Sequence, residues 1–181
     1  MGVEEAYQTL REAFLEATTN ISSEYFKLRV GYSPEPIYRE RAYCYELYHQ
    51  LRILLGDGFP YLLSGEIDKQ GYEKIVQQCG EIKPDFLIHQ PGTMSADANL
   101  AIIEVKAITV DLPAFETDLR KLNCMVNIDN GYYRAIMLIY GIGDLQRQIK
   151  ERYKRLCETN PDRFELFHHS AVGNQAMKIT V

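Results

Sequence analysis

Apolar residues recur at helical spacing over residues 3–19, where Tyr7, Leu10, Phe14 and Leu15 fall near one face, and this predicts an amphipathic helix. The run Ser33-Pro34-Glu35-Pro36 breaks the chain. A second helix is expected over 37–55 from Tyr43, Leu47, Leu51 and Leu54, with Gly56-Asp57-Gly58 as its stop. Three strands are expected next, Tyr61 to Asp68, Lys83 to His89 and Leu100 to Ile108. Leu112-Pro113 opens a helix running to about Val126, and YYRAIMLIY (Tyr132 to Tyr140) is the clearest strand of the chain. Gly143 begins a last helix that ends near Cys157, followed by two short edge strands, Phe164–His168 and Ala176–Val181. From residue 37 the order is therefore helix, strand, strand, strand, helix, strand: an α/β arrangement whose three consecutive strands form a meander.

Composition narrows this little. The 181 residues are 46% hydrophobic, enough for one domain with a real core. We expect a single domain over 1–181: a helical extension over 1–32, a core over 37–140, and a C-terminal helix with edge strands over 141–181. The formal charge of −5 argues against a general polycation that coats nucleic acid. The N-terminus has no basic start followed by an apolar stretch, and no run is long and apolar enough to span a membrane. The four cysteines, Cys44, Cys79, Cys124 and Cys157, are scattered with no CxxC pair, and we read them as reduced thiols of a cytoplasmic protein.

The chemistry sits in two of the expected strands. Pro84-Asp85 lies within one, and Glu104-Val105-Lys106 within the next. Glu104 and Lys106 are two apart, so their side chains leave the same face of a strand. If the strands pair near these positions, Asp85 and Glu104 converge. Two carboxylates that leave several waters on a Mg²⁺ ion, or on Mn²⁺ in its place, are what metal-assisted phosphodiester hydrolysis needs. The Val105 carbonyl would be a further ligand, and Lys106 would orient the attacking water and offset phosphate charge. Glu-x-Lys recurs at Glu81-Ile82-Lys83, and Pro-Asp at Pro161-Asp162. Only the first Pro-Asp is followed by a Glu-x-Lys placed in an otherwise apolar strand, where two charges need a reason to be present.

These residues resemble the motif of the PD-(D/E)xK nuclease superfamily, whose restriction-endonuclease-like core of helix, three-stranded meander, helix and strand matches residues 37–140 in order. The resemblance implies a central mixed sheet, Asp85 and Glu104 as metal ligands, and Lys106 as the catalytic lysine. It also implies a glutamate on the helix before the first strand. Glu46 is the candidate and Glu40 its competitor. The expected activity is Mg²⁺-dependent cleavage of DNA, with RNA open. Cutting both strands of a duplex would call for a homodimer. A binding or assembly module on the same scaffold, without catalysis, is the alternative.

Other candidates carry less signal. Glu66 and Asp68 share a face of the first expected strand and could reach the metal through water. On the last helix, Arg147, Lys150 and Lys154 fall on one side at spacings of three and four, and with Lys121 they are the expected contacts to nucleic-acid phosphates. His89 would share Asp85's strand face. The thirteen tyrosines are spread too evenly to define a base-stacking platform.

Overall fold

The computed structural model describes residues 1–65, 77–93, 95–160 and 162–180. Among the described residues there are six strands, β1 (Leu62–Gly65), β2 (Phe86–His89), β3 (Asn99–Ala107), β4 (Arg134–Tyr140), β5 (Phe164–His169) and β6 (Met177–Lys178). They lie side by side in chain order in one open sheet. β1, β2 and β3 form the expected antiparallel meander. β3, β4 and β5 are parallel, and β6 closes the far side antiparallel to β5. The sheet is therefore mixed, as expected.

Helices cover both faces. On one lie α1 (Val3–Thr19), the short α2 (Ser23–Phe26) and α3 (Glu40–Leu55), over Phe86, Ile88, Ile103, Val105, Leu138 and Phe167. On the other, α4 (Leu112–Asn127) and α5 (Arg147–Thr159) cover Leu87, Ile102, Met137, Ile139 and Leu166. Each of these two links a pair of neighbouring parallel strands. Since both crossovers step across the sheet in the same direction, a common handedness puts both helices on one face. Among the described residues no helix is long and apolar enough to cross a membrane.

Several elements differ from expectation for local reasons. The N-terminal helix is no appendage: Leu10 and Phe14 are fully buried, and the Phe14 ring meets Phe167 edge-on at 5.3 Å. Such side chains each contribute about 2 kcal/mol of burial. α3 starts at Glu40 and not at residue 37, because Ile37 is held extended by an antiparallel bridge to Leu28. β5 is not an edge strand but pairs on both sides. The last helix begins at Arg147, since Gly141 and Gly143 take φ of 138° and 128°, outside the helical region.

Gly141 can carry no side chain. A Cβ there would run into the Cγ2 and Cβ of Ile108. Gly141→Ala combines that clash with an unfavourable φ, and we expect it to cost about 2–4 kcal/mol, read as a lower urea midpoint at unchanged slope.

The cysteines correct one expectation. Cys79 and Cys124 are joined in a disulfide, with Cα atoms 5.6 Å apart, while Cys44 and Cys157 are free. The pairing joins the stretch before β2 to α4. It is a tertiary contact that no spacing in the sequence announces.

Candidate active site

β2 ends where its neighbour continues. The pairing of β2 with β3 runs out at Phe86–Ile103, so Asp85 stands one residue beyond, level with Glu104 and within reach of the Val105 N–H. Its Oδ2 accepts the Val105 backbone N–H at 2.7 Å. Pro84 precedes it, and Pro has no N–H with which to prolong the ladder. The carboxylate of Asp85 thus takes the place of a strand partner. The Val105 carbonyl leaves its strand on the same side as the Val105 N–H.

Strand alternation does the rest. Val105 points into the α1/α3 layer with Ile103, while Ile102, Glu104 and Lys106 face the α4 layer. Lys106 Nζ lies 2.7 Å from Glu104 Oε1, 3.3 Å from Glu40 Oε1 and 3.3 Å from Asp118 Oδ2. One ammonium is shared by three carboxylates contributed by β3, α3 and α4. Lys121, one turn past Asp118, sits 3.7 Å from its other oxygen. Residues 82–84 face Glu104, Asp118, Lys121 and Leu122 across a cavity of about 30 Å³, room for roughly one water.

The charges feel one another. Burial, and then the Asp85 carboxylate, pushes Glu104 up to about 8, with Asp118 adding to the rise and Lys106 opposing it. Burial works against the Lys106 charge, but Glu104, Glu40 and Asp118 outweigh it and hold the ammonium well above the ordinary lysine range. The buried Cys44 thiol, one turn along α3 from Glu40, is driven up by burial and then by Asp85, Glu40 and Glu104. In the metal-free site it stays a neutral thiol.

A pH dependence follows from Glu104. Its value in the folded chain lies above the ordinary 4.5, so between about 4.5 and about 8 the native state holds a proton that the unfolded chain has released. Stability is then greatest below 4.5 for this group and falls as pH rises through 8. We expect the metal-free protein to lose a few kcal/mol between pH 5 and pH 8 through this group. Glu104→Gln should flatten the profile in that window. A wild-type slope that persists unchanged in the variant would assign it elsewhere.

The structure brings Asp85, Glu104 and Lys106 together as expected from sequence. It brings Glu40 to Lys106 rather than Glu46. Glu46 lies six residues on, about 240° around the helix from Glu40, and accepts a hydrogen bond from Gln50 Nε2 at 2.7 Å. His89 lies at the opposite end of β2, near Ser64 Oγ at 3.5 Å. Glu66 and Asp68 lie outside the described residues. On α5, Arg147 is paired with Glu151 at 2.7 Å, while Lys150 and Lys154 are exposed. Arg152 is tied to Glu116 of α4.

Asp118 is the acid that sequence reasoning missed. The signal was available: Phe115, Leu119 and Leu122 form the buried stripe of α4, and Asp118 falls beside it at the same helical spacing. An acid on the margin of an apolar face needs a partner, and Lys106 is that partner.

The chain matches no protein-family model, no curated protein and no solved structure. The site has to be interpreted from its own chemistry.

That chemistry is acidic. Asp85, Glu104, Glu40 and Asp118 are set against Lys106 and, at the rim, Lys121. Among the described residues no three His, Cys, Asp or Glu are arranged as a metal cage. Asp85, Glu104 and the Val105 carbonyl are the groups that could hold a hard cation, which takes few protein oxygens and keeps several waters of its own.

Proposed function

We propose that the chain is a metal-dependent nuclease that hydrolyses phosphodiester bonds, with Mg²⁺ as its ion and Mn²⁺ as a substitute. The observation that carries this reading is the Lys106 ammonium held among Glu104, Glu40 and Asp118, with Asp85 close enough to raise Glu104. An ordinary structural ion pair needs one acid. Here the carboxylates exceed the cations, and a divalent ion would offset the excess. The meander followed by helix and parallel strand also supports the restriction-endonuclease-like fold.

Asp85, Glu104 and the Val105 carbonyl would hold the ion, which when bound supplies an activated water and stabilises charge on the phosphate. The protein's own residues do the remainder. Lys106 stays protonated and can donate hydrogen bonds to the water or to a phosphate oxygen. Glu40 and Asp118 restrain the Lys106 ammonium from two sides, which fixes its direction. Asp85 fixes the β2 end to β3 through the Val105 N–H.

The test is a cleavage assay on supercoiled plasmid and on single-stranded DNA and RNA, with Mg²⁺, Mn²⁺ or EDTA. Metal-dependent cutting by the parent is expected, as is a rise in melting temperature on adding Mn²⁺. Both should be lost in Asp85→Ala. A variant that binds Mn²⁺ as tightly as the parent would end the site assignment. A second reading, a binding or assembly module without catalysis, is favoured by one observation: no metal cage of three side chains exists among the described residues. Under it, neither ion moves the melting temperature.

A further inference from the structure

The acidic site has a basic and aromatic margin on the side away from α5. Leu28 and Ile37 form an antiparallel bridge, N to O at 2.9 and 3.0 Å, that presents residues 29–36 as a looped tip. The bridged segment is fixed to the strand ends near the site by Tyr38. Its hydroxyl accepts the Ile142 N–H at 2.8 Å, and its ring meets Tyr140 edge-on at 5.6 Å. The next residues start α3, where Glu40 turns to Lys106. Arg39 and Arg41 flank Glu40 and are exposed, as is Arg29 on the tip.

The charge balance is local. Between residues 24 and 41 the cations are Lys27, Arg29, Arg39 and Arg41, against Glu24, which lines one pocket with Lys27 and Arg29, Glu35, and the Glu40 already engaged with Lys106. This is a positive margin on a chain of net charge −5. Large aromatic rings are left in solvent beside it. Tyr32 at the tip is fully exposed, and Tyr45, one turn along α3 from Arg41, is 63% exposed. Neither has a ring partner among the described aromatic contacts.

We propose that this face, the 28–37 bridged loop and the first turns of α3, holds an unpaired nucleic-acid strand and leads it into the Asp85–Glu104–Lys106 site. The proposal rests on the nuclease reading for the identity of the ligand. Guanidinium groups pair with phosphates in two-pronged fashion. Exposed tyrosines stack on base faces, which are available in a single strand and hidden in a duplex. The combination selects a single strand, or a frayed end, over continuous duplex. It also moves the strand contact away from the last helix, where Arg147 and Arg152 are already matched by Glu151 and Glu116.

The experiment is fluorescence anisotropy of a labelled oligothymidylate and of a duplex of equal length, titrated with the full chain in EDTA so that no cutting occurs. Parent protein should bind the single strand more tightly. The double variant Arg29→Ala/Arg39→Ala should weaken it by about tenfold and lower the slope of log K against log salt by roughly 1.4, two phosphates' worth for a single strand. Tyr32→Ala should weaken the single strand by about fivefold and leave the duplex unchanged. Lys150→Ala/Lys154→Ala should stay within about twofold of the parent. All of these positions are exposed, and equal melting temperatures will show that folding is intact. Tighter duplex binding, a larger loss in the Lys150/Lys154 variant, displacement of the strand by polyglutamate, or no binding by the parent would each overturn the proposal. Binding through Arg29 and Arg39 with no metal-dependent cleavage would retain this face and remove the nuclease reading. Cleavage that survives the arginine changes with affinity intact would do the reverse.

Discussion

Lys106→Met should reduce metal-dependent cleavage by at least about a hundredfold while leaving a folded protein. The figure is that of losing one preorganised charge donor at a transition state, about 3 kcal/mol. Methionine keeps the length of the stem, so packing against the end of β3 is largely preserved. What goes is the ammonium that Glu104, Glu40 and Asp118 share. Three carboxylates are then left facing one another without their cation. The metal-free variant should be less stable than the parent, and Mg²⁺ should raise its melting temperature by more than it raises the parent's, because the ion now offsets a larger excess of negative charge. This opposite movement of activity and metal response separates catalysis from architecture. A lysine that only neutralised acids would lower cleavage in proportion to the unfolded fraction, and Mg²⁺ would restore it. Cleavage within threefold of the parent at saturating Mg²⁺ would remove Lys106 from the chemistry.

What could be foreseen of this site follows the range of the forces that build it. Glu104 and Lys106 were legible because strand alternation is local: a spacing of two fixes a common face whatever the strand pairs with. Asp85 was legible because it falls in the expected strand Lys83 to His89 and the meander needs that strand beside β3. The helical glutamate was harder. Its assignment depends on where α3 starts, and that is set by the Leu28–Ile37 bridge, a contact between segments nine residues apart. With the start moved to Glu40, the Glu40 carboxylate reaches Lys106 and Glu46 turns outward to Gln50. The inner position of β5 was missed for a related reason. Phe164–His168 carries the apolar run of a buried strand, yet its place beside β4 is set by the crossover through α5. The Cys79–Cys124 bond was the least legible, since a disulfide between a loop and a helix leaves no periodic trace.

That bond carries the other large effect. It closes a loop with a sequence separation of 45 residues, which contains β2, β3 and most of α4. Opening a loop of this size frees the unfolded chain by about 4 kcal/mol on the chain-entropy estimate. Cys79→Ser/Cys124→Ser should therefore lower the melting temperature by roughly 10 °C for a chain this long. A dithiol reductant should lower the parent to the same value and leave the double variant unmoved. Both cysteines are only partly buried residues, which leaves the bond open to a reductant. The consequence is not confined to stability. Cys79 lies six residues before Asp85, and Cys124 lies on the helix that carries Asp118 and Lys121. The two stretches line opposite sides of the small cavity beside Glu104. The disulfide ties together the chain segments that bring Asp85 and Asp118 to the site. Reduction should then weaken Mn²⁺ binding in protein that is still folded at the assay temperature. If metal affinity is the same in oxidised and reduced protein while the melting temperature falls, the bond stabilises the domain and does not set the spacing of its acids.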